Sequence, residues 1–191
     1  KFQDNKLCLQ CHEPKYDSKD HHFHSEKNEG SKCINCHMPG KLYMGTDLRR
    51  DHSLRIPRPD LSVQHGTPNA CVQCHEDKSD KWAASQVEKW YGKERPYHFS
   101  EDLILGRRRE PEFVAALIKM LADTATPIIA RATAIQYIND TQHPNGNNNV
   151  IPFLKSPEPL IRIQAVRSLN DLPGDQKITQ VAPLLKDKVR G

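Results

Sequence analysis

The sequence has few of the apolar residues from which a soluble domain builds its core. Hydrophobic residues make up 36% of the 191 residues and aromatic residues only 6%, whereas apolar residues usually form about 45–50% of a soluble domain. No apolar run is long enough to cross a membrane. The first hundred residues are the most polar, so we expect them to need apolar surface that their own side chains do not supply.

Cysteine is absent outside three short motifs, Cys8–His12, Cys33–His37 and Cys71–His75, each of which reads Cys-x-x-Cys-His. This is the attachment signature of a c-type haem. Two thiols one helical turn apart can each form a thioether with a vinyl group of one haem, and the adjacent histidine can reach the iron. We predict three covalent haems, bound by the thiols of Cys8, Cys11, Cys33, Cys36, Cys71 and Cys74 and by the imidazoles of His12, His37 and His75.

Other uses of these cysteines explain the pattern less well. A zinc site would need the motifs in pairs, and three is an odd number. A thioredoxin-like redox pair is expected once, beside a βαβ pattern that this chain lacks. Disulfides would not require a histidine after every second cysteine.

The basic balance of the chain is weak support for a nucleic-acid partner. The formal net charge is +4 with histidine neutral, but three haems would add acidic propionates, so we expect no nucleic acid. Arg49, Arg50, Arg55 and Arg58 form a basic run. Two interpretations of this run stay open: a solvated surface, or pairing with propionates or an acidic partner.

The haem motifs also predict where the protein resides. Bacteria attach haem c outside the cytoplasm, so we expect a periplasmic or extracellular protein whose leader peptide was removed or lies outside this numbering.

A helix is predicted after the third motif. Ser79 or Asp80 can cap it, Gly92 suits its end, and it would run to about Tyr91. Trp82 and Trp90 lie near one face, and we expect them to pack in a core that includes the third haem rather than to relay electrons.

From about residue 100 the pattern becomes helical. An apolar stripe with helical spacing follows Pro111, formed by Val114, Leu117, Ile118 and Leu121. The segments 127–138 and 159–169 resemble each other, with Arg131 aligned to Arg162 and a period of about 31, which favours HEAT-like helical hairpins over a plain bundle. A further stripe consists of Ile178, Val181, Leu184 and Leu185. Asp187–Arg190 look like the opening of another repeat, so we expect the solenoid to be cut short.

Several stretches of the first half are similar to bacterial multihaem c-type cytochromes related to cytochrome c-554 and the pentahaem nitrite reductases, which are often fused to HEAT or tetratricopeptide repeats. The similarity is carried by His21-His22-Phe23-His24, residues 29–39, Tyr43-Met44, residues 49–53, residues 56–62, residues 67–71 and residues 95–99. It covers roughly the first 110 residues.

The resemblance implies distal iron ligands among the seven histidines outside the motifs. Carried over to this chain, they are His21 or His24, and His52, with His98 as our candidate for the third haem, nearest Trp82. We expect His143 to face solvent, and Met44 is a weaker ligand candidate.

Together these features predict a mainly α protein: a loop-rich trihaem cytochrome c module over residues 1–99 and a short HEAT-like α-hairpin solenoid over residues 100–191. We expect an electron carrier without catalytic residues, docking redox proteins or other cytochrome subunits. The alternatives are a multihaem enzyme with one open iron, acting on nitrite or hydroxylamine, and a subunit of an extracellular haem filament or other homo-oligomer. Because no motif ends in Lys, as the catalytic motif of the nitrite reductases typically does, the carrier is favoured.

Overall fold

The computed structural model describes residues 4–140, 146–169 and 172–189. The structure is mainly helical, which confirms the prediction of a mainly α protein. Within the described residues, no helix has the length and apolarity needed to cross a membrane.

The chain divides into two compact units, Lys1–Arg95 and Pro96–Gly191, which we call the first and the second unit. All three haem motifs lie in the first unit, whereas the repeated segments lie in the second.

The first unit contains little regular structure. Its elements are α1 (Lys19–His22), α2 (Cys33–His37), β1 (Gly40–Tyr43), β2 (Asp47–Arg50), α3 (Pro59–His65), α4 (Asp80–Tyr91) and the 3-10 helices Asn5–Gln10, Pro14–Asp17 and Glu29–Ser31. Strands β1 and β2 form an antiparallel hairpin in which Gly40 pairs with Arg50 and Tyr43 with Asp47. The hairpin turns through Met44 and Gly45, both at positive φ, a conformation that suits glycine.

Helix α4 has the predicted bounds. The Ser79 side chain accepts a hydrogen bond from the Trp82 backbone N–H at 3.2 Å and so satisfies one of the unpaired donors at the helix start. At the other end the Gly92 N–H donates to the Glu88 carbonyl, and Gly92 has a positive φ of 86°. The cap and the terminating glycine predicted from the sequence are therefore confirmed.

The second unit is built from helices around one apolar core. Its elements are α5 (Ser100–Arg108), α6 (Phe113–Ala122), α7 (Ile128–Asp140), α8 (Gly146–Val150), the 3-10 helix Ile151–Lys155, α9 (Pro159–Arg167), α10 (Gly174–Val181) and the 3-10 helix Ala182–Lys186. Helix α7 packs against α6 and α9. Leu117, Ile135, Ile138 and Ile161 are completely buried in that core.

The structure of the second unit repeats with the period seen in the sequence. Helices α7 and α9 begin 31 residues apart, and so do the two 3-10 helices. Ser156 and Asp187, the residues that follow those 3-10 helices, each accept a hydrogen bond from the backbone N–H two residues further on. The predicted period therefore corresponds to a repeated backbone structure.

Two predicted apolar stripes are only partly buried. In α6 the buried face is formed by Phe113, Leu117, Met120 and Leu121, so Ile118 lies at its edge and stays 37% exposed. Val181 and Leu184 pack against the core. Ile178 and Leu185, by contrast, are 68% and 86% exposed.

Candidate haem-binding site

Each Cys-x-x-Cys-His motif adopts a hydrogen-bonded turn. In the first motif the N–H groups of Cys11 and His12 both bond the Cys8 carbonyl, at 3.1 and 3.0 Å. The third motif repeats this pattern, with the N–H groups of Cys74 and His75 on the Cys71 carbonyl at 3.2 and 3.0 Å. The second motif is α2 itself. The predicted turn is therefore present in all three, and it brings both thiols and the histidine of a motif close together.

Two asparagine side chains hold the first cysteine of two motifs. Asn5 accepts a hydrogen bond from the Cys33 N–H at 2.9 Å and donates to the Ser31 carbonyl at 2.9 Å. Asn69 accepts from the Cys71 N–H at 3.1 Å and donates to Asp80 at 2.8 Å. The sequence analysis did not identify either residue, although Asn69 stands only two positions before its cysteine.

The cysteines are all free thiols, and several are half-buried. Burial raises the pKa of Cys33 to about 11, assisted by the neighbouring Cys8 thiol. Burial likewise raises the pKa of Cys36 to about 11, with smaller contributions from Cys71 and Cys74. The thiols of Cys33 and Cys36 therefore stay protonated at neutral pH, and each lies close enough to a cysteine of another motif to be influenced by it.

The histidine of the second motif faces a second imidazole. The ring centres of His37 and His21 are 6.2 Å apart, and their planes differ by only 6°. Nδ1 of His37 lies 2.8 Å from the Arg55 carbonyl, so Nδ1 is the protonated nitrogen and Nε2 has the lone pair that could bind a metal. Burial, with smaller contributions from His37 and His22, lowers the pKa of His21. This favours the neutral ring that binds a metal.

The histidine of the third motif has an equivalent partner. The ring centres of His75 and His24 are 6.0 Å apart, with planes tilted by 32°. Nδ1 of His24 bonds the His22 carbonyl, which again leaves Nε2 as the metal-binding nitrogen. Gly30 leaves room for this ring, because a Cβ there would lie 2.8 Å from Nε2 and closer still to two ring carbons, and would displace the ring.

Each of these two distances fits a pair of imidazoles bound to one iron. A metal–imidazole bond of about 2.0 Å, plus about 1.1 Å from nitrogen to ring centre, separates two opposed ring centres by about 6.2 Å. The observed values of 6.2 and 6.0 Å match this separation. The residues present therefore fit haem at the second and third motifs, with cysteine thiols for the vinyl groups and two histidines for each iron.

The first motif has a different neighbour. The His12 ring lies 6.1 Å from the Tyr16 ring and nearly perpendicular to it, at 86°. His52, a predicted distal ligand, is exposed and bonds the Arg50 carbonyl through Nδ1 at 2.8 Å. Within the described part of the chain, its ring does not contact a proximal histidine. His98 belongs to the second unit, with Nδ1 at 2.7 Å from the Ser100 hydroxyl, and His143 lies outside the described residues.

Aromatic side chains surround the two histidine pairs. Trp82 lies 4.9 Å from the His75 ring, and the rings of Phe23 and Trp90 stack at 4.5 Å with planes only 3° apart. Phe23 ends α1 in the left-handed conformation, with φ 56°, which is unusual for a bulky residue. It separates His21 from His24 and lets the chain direct them to different motif histidines.

The arginines of the basic run contact the chain itself. Arg50 donates to the carbonyls of Ile34 and Met38 at 3.1 and 3.0 Å, and so supports the turn of the second motif. Arg49 pairs with Asp47 at 2.9 Å, and Arg58 pairs with Asp60 at 2.7 Å. Arg55 bonds the Ser53 hydroxyl at 2.7 Å.

No cluster of three or more metal-binding side chains occurs among the residues that the structure describes. Comparisons of the chain with protein-family models, curated proteins and solved structures find no match.

Proposed function

We propose that this chain is a trihaem c-type cytochrome that carries electrons. The single observation that supports this most strongly is that the rings of two motif histidines, His37 and His75, lie 6.2 and 6.0 Å, centre to centre, from a second imidazole, which is close to the separation that two imidazoles bound to one iron would have.

The geometry supports a specific assignment of ligands. His21 would be the distal ligand opposite His37, and His24 the distal ligand opposite His75. This differs from the sequence expectation that His98 serves the haem beside Trp82, because His75, the histidine next to Trp82, faces His24. His52 and His98 stay as predicted distal ligands.

The ligand sets determine what the site can do chemically. Bound haem iron takes up and releases one electron, and its potential depends on its axial ligands and surroundings. With His21 and His24 as second ligands, the irons held by His37 and His75 would have no position for a substrate, so these two sites would be restricted to electron transfer. Asn5, Asn69 and Arg50 hold the motif backbone, which keeps the proximal histidines in place.

The wider setting is part of the same proposal. The motifs resemble those of multihaem cytochromes related to cytochrome c-554, and the 31-residue backbone repeat supports a HEAT-like solenoid for the second unit. We expect such repeats to provide an extended surface for a redox partner or another cytochrome subunit. We propose a periplasmic or extracellular location, because haem c is attached there.

The first experiment is to count haems and test their reactivity. We expect the mass of the chain made with a haem-attachment system to increase by three haems. Carbon monoxide should then leave the absorption of two reduced haems unchanged, because His21 and His24 occupy their irons. A chain without haem would overturn the proposal. Reaction of two or all three haems would contradict the ligand assignment and favour the multihaem enzyme instead.

The second experiment tests the assignment directly. His21→Ala and His24→Ala should each make one further haem reactive to carbon monoxide, and the double variant should make two reactive. His22→Asn is the matched control, because the asparagine oxygen can still accept the His24 N–H, which lies 3.2 Å from Nδ1 of His22. Single variants that open no haem would show that the distal ligands come from elsewhere.

A further inference from the structure

The end of α4 contacts the segment that contains both proposed distal histidines. Trp90 stacks on Phe23, and Tyr91 lies against His21 with ring centres 6.3 Å apart. Arg95 holds this end of the helix by donating to the carbonyls of Val87 and Gly92 at 2.8 and 3.0 Å. The position of Tyr91 relative to His21 is therefore fixed by neighbours on both sides.

The Tyr91 hydroxyl makes two polar contacts with the same histidine. It donates its proton to the His21 backbone carbonyl, and it lies 3.3 Å from Nδ1 of the His21 ring. A tyrosine hydroxyl has only one proton to donate. Once that proton is on the carbonyl, the oxygen can only accept from Nδ1, so Nδ1 carries the ring proton and Nε2 presents its lone pair.

We propose that Tyr91 is a positioning residue that sets the tautomer and orientation of His21 as an iron ligand. This inference rests on the proposed function, in which His21 is the distal ligand opposite His37. Metal-bound histidines usually donate their second ring N–H to an oxygen, and this bond orients the ring and raises its basicity. Here the acceptor is a tyrosine hydroxyl from a helix that lies 70 positions further along the chain.

Two consequences follow for the haem that His37 and His21 would hold. Without the acceptor on Nδ1, His21 becomes a weaker donor, which favours ferrous iron and raises the reduction potential of that haem. Loss of such a partner typically costs about 10–100-fold in metal affinity. Carbon monoxide competes with His21 for the ferrous iron, so its apparent affinity for that haem should increase by the same factor.

The test is Tyr91→Phe in the haem-loaded chain, which removes only the hydroxyl. We expect three haems, a raised potential for one of them, and the predicted gain in carbon monoxide affinity at that haem. Tyr43→Phe is the control, because its ring lies on the hairpin under Arg49, and it should leave all three haems unchanged. Unaltered haems in Tyr91→Phe would overturn the inference.

A double-mutant cycle decides whether Tyr91 acts through His21. Tyr91→Phe must affect the same haem that His21→Ala opens, and it should add nothing in the His21→Ala background. An effect on another haem, or additive effects, would overturn the inference. Failure of the wild-type chain to bind haem would instead overturn the proposed function.

If Tyr91→Phe accumulates poorly, a second variant tests the same role of Tyr91. Placing 3-fluorotyrosine at position 91 keeps the ring and the hydroxyl but makes the oxygen a weaker acceptor. The potential of the same haem should again rise, by less than in Tyr91→Phe. An unchanged potential would contradict the role of Tyr91.

Discussion

The two units differ in what holds them together. Among the described residues, the first unit buries three of the core hydrophobics, Leu61, Ala70 and Ala83, whereas the second buries fourteen. A large buried side chain contributes about 1.5–3 kcal/mol, and ordering the backbone costs about 1–2 kcal/mol per residue. One leucine and two alanines offset little of that cost, which is why we expect the first unit to need apolar surface from outside its sequence.

Polar contacts supply part of the stabilisation that the first unit does not gain from buried apolar residues. The side chains of Asn5 and Arg50 bond backbone groups that are distant along the chain, and the Asn69 side chain bonds the nearby Cys71 N–H. The rings of His21 and His37 lie beside each other. Large apolar side chains such as Leu42, Met44 and Ile56 are more than half exposed there. The second unit instead packs helices directly. Hydrophobic packing stabilises the second unit, and the proposed haems would supply the apolar surface that the first unit lacks.

The largest expected effect comes from withholding haem. In a chain produced without haem attachment, we expect the first unit to lose its tertiary structure while the second unit keeps its helices. Limited proteolysis with mass spectrometry would show cleavage confined to residues before Arg95. The haem-loaded chain is the control. Equal protection of both units in the haem-free chain would contradict the comparison.

Opening a cavity in the apolar core should affect only the second unit. Leu117 is completely buried, so Leu117→Ala should cost about 2–5 kcal/mol. Hydrogen exchange of α6 and α7 would measure the loss, and the haem spectrum should not change. Ile118→Ala, one position along and 37% exposed, is the matched control with a smaller expected effect. Similar losses in both variants would show that α6 buries a different face.

Removing a polar side chain that bonds several neighbouring groups should destabilise the first unit by less than the Leu117→Ala cavity destabilises the second. The Asn69 side chain is buried and bonds Cys71, Val72, Ser62 and Asp80. Asn69→Ala leaves those groups without a partner, at a cost of about 1–3 kcal/mol. Urea unfolding followed by the haem absorption would measure it. Gln73→Ala, an exposed position within the motif, should be neutral, and an equal loss there would argue against a specific role for Asn69.

The smallest expected effect is a pH dependence in the second unit. A two-point hydrogen bond from Arg162, at 2.6 and 2.8 Å, and a further one from the Val189 N–H lower the pKa of Asp187 to about 2. Because the pKa is lowered on folding, this stabilisation is complete above the ordinary value of 3.8 and is lost as pH falls toward about 2. Hydrogen exchange of α9 as a function of pH would show it.

The control for this pH dependence is Asp187→Asn. It should reduce the acid sensitivity of α9 and leave the haem absorption unchanged. An acid response of the same size in the variant would assign the effect to other carboxylates.

Much of the local structure could be predicted because it depends on neighbouring residues. Ser79 and Gly92 mark the ends of α4, since capping involves only the adjacent turn. The repeat of 31 residues appears in the backbone as it does in the sequence. The burial of α6 was only partly predictable. Leu117 and Leu121 of the predicted stripe are buried and Ile118 is 37% exposed, whereas Phe113 and Met120, outside that stripe, are buried because the facing helices determine which face is covered.

The sequence by itself determined the cofactor chemistry that we propose, because the thiols and the proximal histidine of each haem lie within five consecutive residues. It also limited the distal ligands to a few histidines. Only the tertiary structure decided that His21 and His24 lie beside the histidines of different motifs, and that Tyr91 and Gly30 contact them. Those partners are far apart along the chain, and their contact depends on how α1 and α4 meet, which no local spacing encodes.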